Sequence, residues 1–166
     1  EEKAFNRFMS KYISFIDAYD KPTRGYHDDT HIVSMLKKTD EFILNNPNTI
    51  QKPDEFKFAI LMHDYVNGVP NDVAKSIKAS EKFIQEVNPN QDTKYIKKLI
   101  LATDYSRKSS NLSFDEKLIQ DIDLSILGSN PTEYKEYAAP IKVEALPMTL
   151  KVYAGKENCI SSEVRE

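Results

Sequence analysis

Apolar side chains recur at steps of three and four residues along most of this 166-residue chain, and this spacing constrains its fold more than any other feature. An α-helix completes one turn in about 3.6 residues, so this spacing places the apolar side chains of each segment on one face of a helix. No segment shows the two-residue alternation that indicates a half-buried strand. We therefore predict an all-α fold, a compact single-domain bundle of about six to eight helices.

Proline, glycine and asparagine interrupt the apolar pattern and divide the chain into helices. The predicted helices cover residues 2–19, 28–45, 53–64, 71–87, 92–103, 114–127 and 131–146. The segment that begins at Pro53 is too densely apolar for a surface helix, which is typical of a central one. No shift in composition marks a linker, so we expect residues 1–166 to form one domain with a weakly patterned tail over 147–166.

The composition argues against several classes of partner. Hydrophobic residues make up 40% of the chain, charged residues 30%, and the formal net charge is -3. We do not expect a nucleic acid polymer as partner, because binding its phosphate backbone requires a basic surface. The single cysteine cannot form an internal disulfide, and no apolar run approaches the roughly 20 residues of a membrane helix. We expect a cytoplasmic protein without membrane contact, and the oligomeric state stays open.

The three histidines of the chain fall in two short stretches that also contain aspartates. His27 and His31 lie near the start of the second predicted helix, and His63 precedes Asp64 at the end of the central one. Two imidazoles and a carboxylate form a mixed nitrogen and oxygen set that suits Zn, Fe, Mn or Ni. Asp123 interrupts an otherwise apolar helix, where a buried carboxylate is costly unless its charge is compensated. We therefore expect Asp123 to be a further ligand.

The order His, His-Asp, Asp on successive helices resembles the signature of the HD superfamily. The surrounding residues are similar to a family of metal-dependent HD phosphohydrolases over about residues 4–155. The main motifs of this resemblance are PTRGYHDDTHIVSML at 22–36, MHDYV at 62–66 and DIDLSILG at 121–128. Shorter similarities lie at 71–72, 99–103 and 134–144. The resemblance implies an all-helical HD-domain-like fold that hydrolyses phosphate esters.

The resemblance also implies roles for individual residues. The implied ligands of one divalent ion, which would be Mn, Fe, Ni, Zn or Mg, are His31, His63, Asp64 and Asp123. Residues 26–31 also resemble the motif of cyclic-nucleotide phosphodiesterases, which makes His27 the general acid and a substrate contact. The planar guanidinium of Arg24 would bind the phosphoryl group. Asp64 or Asp123 would orient the attacking water.

Other positions bear on the substrate. We expect Tyr65, Asp72 and Lys142 to contribute to substrate binding. The family usually has glutamate where this chain has Asp72, and arginine is common at the position of Lys142. It also tends to have histidine where Ser106 stands. These departures concern specificity more than metal binding.

We expect a hydrolase that cleaves a phosphomonoester or phosphodiester of a nucleotide-like small molecule with a metal-activated water. An alternative is a non-catalytic HD module that binds or sequesters a signalling nucleotide. A two-iron HD oxygenase would need more ligands than three histidines supply. Structural roles stay open as well: His31 as a satisfied helix histidine, His27 or Asp72 as a helix cap, and Arg24 as a solvated charge.

Overall fold

The computed structural model describes residues 13–21, 24, 26–88, 92–107, 110–132, 134–136 and 138. Over these residues the chain is all-helical and has no strand, so the predicted fold class is confirmed. Helix α1 covers residues 13–19 and is followed by α2 (Asp29–Asn45), α3 (Pro53–Met62), α4 (Asp72–Val87), α5 (Lys94–Ala102), α6 (Phe114–Asp123) and a 3-10 segment (Leu124–Gly128). The described residues between 131 and 138 are helical as well.

Local capping explains where two of the helices begin. In α2, Asp28 Oδ1 accepts hydrogen bonds from the backbone N–H groups of Thr30 and His31. Before α6, the Ser113 hydroxyl accepts from the Glu116 N–H while the Glu116 carboxylate accepts from the Ser113 N–H, which is a capping box. Both starts agree with the sequence prediction, because a cap depends only on neighbouring residues.

The sixth helix is shorter than predicted. It was expected to continue to residue 127, but the α-helical geometry ends at Asp123 and a 3-10 segment follows. The Leu124 N–H donates to the carbonyls of both Gln120 and Ile122, and the Ser125 hydroxyl donates to the Ile122 carbonyl at 2.6 Å. These bonds tighten the backbone at the end of α6. Asp123 therefore occupies the last α-helical position.

Helix α3 lies at the centre of the described part of the chain. It packs against α2, α4, α5 and α6. Phe56, Ala59 and Ile60 on this helix have no exposed surface, which confirms that it is the central helix. Burying a large apolar side chain contributes about 1.5–3 kcal/mol. This packing fixes the position of the residues that follow Met62.

A buried carboxylate ties α5 and α6 to the segment before α3. Asp115 Oδ2 accepts the Tyr95 hydroxyl at 2.7 Å and the Gln51 N–H at 3.2 Å. Burial and the adjacent Asp115 carboxylate raise the pKa of Tyr95, so its hydroxyl stays a donor. The contact joins three elements that are distant in sequence.

Some predictions lie outside the described residues. These are the first helix over 2–12, the last helix over 139–146 with Lys142, and the tail over 147–166. The extent of the domain, predicted as 1–166, likewise stays a prediction. Within the described ranges, no helix combines the length and the apolar content that crossing a membrane requires.

Candidate metal centre

Three side chains that are distant in sequence converge at one end of α3. His31 comes from the first turn of α2, His63 directly follows α3, and Asp123 ends α6. One donor atom of each lies within 4.8 Å of the other two. Asp123 Oδ1 is 3.1 Å from His31 Nε2 and 3.7 Å from His63 Nε2. We call these three residues the triad.

The two imidazoles of the triad present nitrogen atoms that lack hydrogen-bond partners. Nε2 of His31 and Nε2 of His63 are both buried, and neither is aligned for a hydrogen bond, although Asp123 lies close by. His63 Nδ1 is 2.7 Å from the Ile60 carbonyl and can only donate to it, which leaves the lone pair of neutral His63 on Nε2. A buried polar atom without a partner costs about 1–3 kcal/mol. A cation bound by the triad would remove this cost, so the residues fit a divalent metal.

Asp64, predicted as a fourth ligand, lies beside the triad and not within it. Its Oδ2 is 3.1 Å from His63 Nε2 and 3.8 Å from His27 Nε2. The carboxylate therefore stands between a histidine of the triad and the predicted general acid. The ring centroids of His27 and His31 are 5.9 Å apart, so all three histidines border the same space.

The electrostatics of the site favour charged side chains in spite of burial. Burial lowers the pKa of His63, but the carboxylates of Asp64 and Asp123 outweigh it and hold that pKa well above its usual range. Burial raises the pKa of Asp123, yet the nearby imidazoles of His31 and His63 bring that pKa far below its usual range. The pKa of Asp64 is lowered in the same way by His63, against the effect of burial. A positive charge is thus favoured at this point, and a metal ion can replace the proton.

Arg24 contacts backbone carbonyls on both sides of the site. Its Nη1 donates to the carbonyls of His27 and Asp64, both at 2.8 Å, and its Nη2 donates to the Tyr65 carbonyl at 2.9 Å. The guanidinium also lies over the ring of Tyr19, 4.6 Å from the centroid. Three of its five N–H donors are therefore used by backbone. Arg24 thus joins the two histidine segments through backbone carbonyls, and its contact with a phosphate stays a prediction.

Two residues that the sequence analysis did not select also contact the triad. The Tyr105 hydroxyl donates to Asp123 Oδ2 at 2.8 Å, which leaves Oδ1 directed at the histidines. The Tyr26 ring centroid lies 4.7 Å from that of His31. Tyr26 belongs to the motif at 22–36, so the sequence could have indicated it as a site residue. Nothing in the sequence near Tyr105 indicates its contact with Asp123, because that contact depends on how α5 and α6 pack.

The remaining predicted substrate residues do not join the triad. Tyr65 stacks on Phe15 at 6.2 Å and lines a cavity of about 260 Å³ between α1, α3 and α4. Asp72 lies in the first turn of α4, where its Oδ1 accepts the Val73 N–H at 2.8 Å. The N-cap of α4 is Asn71 and no side chain caps this helix, so the structural alternative that made Asp72 the cap is wrong. Lys142 lies outside the described residues.

A second cavity, of about 150 Å³, adjoins the triad. It lies between α2 and the end of α6 with its 3-10 segment, and both His31 and Asp123 are part of its wall. Its position gives a small molecule a route to the triad.

Comparison with known proteins assigns no family. No family model, curated protein or solved structure matches the chain. The resemblance to the HD superfamily therefore stays a prediction, and any function must be inferred from the geometry of the site.

Proposed function

We propose that this chain is a metal-dependent phosphohydrolase that acts on a phosphate ester of a nucleotide-like small molecule. One observation carries the proposal: two buried imidazole Nε2 atoms that make no hydrogen bond converge with the Asp123 carboxylate. Such a set of two nitrogens and one oxygen leaves positions open for water and substrate. His31, His63 and Asp123 would hold the ion, with Asp64 beside them.

Hydrolysis of a phosphate ester requires a water proton to be accepted and a leaving oxygen to be protonated. A bound divalent ion supplies Lewis-acid polarisation and lowers the pKa of water from 15.7 toward about 7. Asp64 stands where it can accept a proton, 3.1 Å from His63 Nε2 and 3.8 Å from His27 Nε2. The His27 side chain is 33% exposed, so it can reach a substrate and donate a proton to the departing oxygen.

Metal content by mass spectrometry on the full chain tests the first half of the proposal. We expect near-stoichiometric transition metal in the wild type after loading with Mn or Ni, and loss of that metal in His63→Ala and Asp123→Asn. His27→Gln is the matched control, because it removes an imidazole beside the triad and should keep the metal. Circular dichroism establishes that each variant is folded. A wild type without metal after loading contradicts the proposal.

Turnover of a nucleotide panel with Mn, Ni, Co and Mg added separately tests the second half. We expect product with at least one ion and a loss of about 10²–10⁴-fold in His27→Gln, which is the usual contribution of a general acid. Stoichiometric nucleotide binding without product would instead support the non-catalytic module.

A further inference from the structure

The cavity beside the triad has a polar edge formed by α2. Thr30, Ser34 and Lys38 lie on successive turns of this helix and all line the cavity. Ser125, from the 3-10 segment, faces them across it. The cavity therefore has hydroxyl groups and an ammonium group in addition to the triad residues in its wall.

Lys38 is held in place at the cavity by a neutral partner. Its Nζ donates to the Ser125 hydroxyl at 2.8 Å, and that hydroxyl donates in turn to the Ile122 carbonyl at 2.6 Å. Among the described residues, no carboxylate lies within 4.0 Å of the Lys38 ammonium, the distance of an ion pair. A lysine ammonium has three donors, so this one can still bind an anion.

The triad residues and Lys38 line the same cavity at different levels along α2. The triad contributes His31 and Asp123, Lys38 lies two helical turns further along α2, and Met35 and Ile122 line the wall. The seven residues from His31 to Lys38 correspond to a rise of about 10.5 Å along the helix axis. A ligand that contacts both the triad and Lys38 needs one polar group for each and a short spacer between them.

We propose that Lys38, with Ser34 one turn before it on α2, binds a second anionic group of a substrate whose phosphoryl group lies at the triad. This inference rests on the proposed phosphohydrolase function and narrows its substrate class. The substrate would be a small molecule with two separated anionic groups, such as a bisphosphate or a phosphorylated carboxylic acid. A phosphomonoester with an uncharged leaving group would use only the triad end.

Non-hydrolysable phosphonates test this inference by binding alone. Calorimetry on the Mn-loaded full chain compares alkyl monophosphonates with α,ω-alkanediphosphonates of about two to eight carbons, which bracket the rise between His31 and Lys38. We expect the best diphosphonate to bind about tenfold more tightly than the monophosphonate, the effect of one additional charge-assisted contact. Lys38→Gln should remove this preference and leave monophosphonate affinity unchanged.

Lys37→Gln is the matched control. Lys37 is the exposed neighbour of Lys38 on α2, it does not line the cavity, and its substitution removes the same charge. We expect Lys37→Gln to keep the preference for the diphosphonate. Equal loss in both variants would mean that net charge and not the cavity is responsible, which overturns the inference.

The remaining outcomes separate this inference from the function on which it rests. A wild type that binds Mn and the monophosphonate but shows no preference for any diphosphonate overturns the second anion site alone. A wild type that binds neither Mn nor the monophosphonate overturns the phosphohydrolase proposal and the inference with it.

Discussion

Tyr105 and Tyr95 each donate a phenolic hydrogen bond to an aspartate, but the two aspartates differ in their surroundings. Tyr105 contacts Asp123 of the triad at 2.8 Å and is 49% exposed, whereas Tyr95 contacts the buried Asp115 at 2.7 Å. Burial and the Asp123 charge raise the pKa of Tyr105, so it stays a donor at neutral pH. Variants of the two tyrosines can therefore distinguish an effect on the triad from an effect on folding.

Replacing Tyr105 with phenylalanine is expected to weaken metal binding and leave folding nearly unchanged. Removing an outer contact of a metal ligand typically lowers metal affinity by about 10- to 100-fold. Tyr95→Phe is expected to show the reverse, a loss of about 1–3 kcal/mol in the free energy of unfolding with unchanged metal affinity. Titration with Mn and urea denaturation measure the two quantities. Equal metal affinity in Tyr105→Phe and the wild type would refute the positioning role.

Side-chain roles such as that of Tyr105 could not be predicted from the sequence. The triad could, because histidine and aspartate are the usual metal ligands and their order along the chain resembles a known signature. The start of α2 could also be predicted, since Asp28 caps its own neighbours. The contacts of Arg24 could not be predicted in full. Its motif suggests a phosphate contact, but its guanidinium also donates to three carbonyls that only the folded chain brings close to it.

At the scale of elements, Arg24 joins the segment before α2 to the turn after α3. It donates to the His27 carbonyl on one side and to the Asp64 and Tyr65 carbonyls on the other. These segments carry the predicted general acid, His27, and one residue of the triad, His63. Their spacing therefore depends on a planar guanidinium that reaches three acceptors at once.

We expect Arg24→Lys to lower the free energy of unfolding by about 1–3 kcal/mol, because an ammonium keeps the charge but cannot reproduce the planar fork. Metal affinity should fall as well, since His63 and His27 lose their common support. Arg107→Lys is the control, because Arg107 is exposed. Urea denaturation and Mn titration provide the readouts. If Arg24→Lys left stability unchanged but raised the KM for a phosphate ester, the result would contradict the joining role and support the predicted phosphate contact.

At the scale of the whole molecule, the triad connects α2, the end of α3 and the end of α6. An ion bound there would link segments that are far apart in sequence, and it would stabilise the folded state by mass action, by about 2.7 kcal/mol at 100 times its Kd. In the metal-free protein, the charges of His63, Asp64 and Asp123 provide part of this connection. A metal ion bound at the triad would therefore compete with the proton on His63 for the same place.

This competition predicts opposite effects of pH on the two forms. The raised pKa of His63 contributes stability that is fully present below its unfolded value of about 6.5 and is lost as pH rises through the folded pKa. The lowered pKa values of Asp64 and Asp123 contribute stability above about 3.9 that is lost as pH falls through their folded values. With respect to these groups, the metal-free protein should be most stable between these limits.

Metal binding should strengthen as pH rises, because His63 must lose its proton to become a ligand. Below the folded pKa of His63, release of one proton per ion corresponds to about a tenfold gain in apparent affinity per pH unit. Calorimetry in two buffers of different ionisation enthalpy counts the released protons, and melting curves with and without Mn follow the stability. The increase in Tm on adding Mn should therefore grow from pH 6 to pH 8, whereas pH-independent binding without proton release would show that the ion does not occupy the triad.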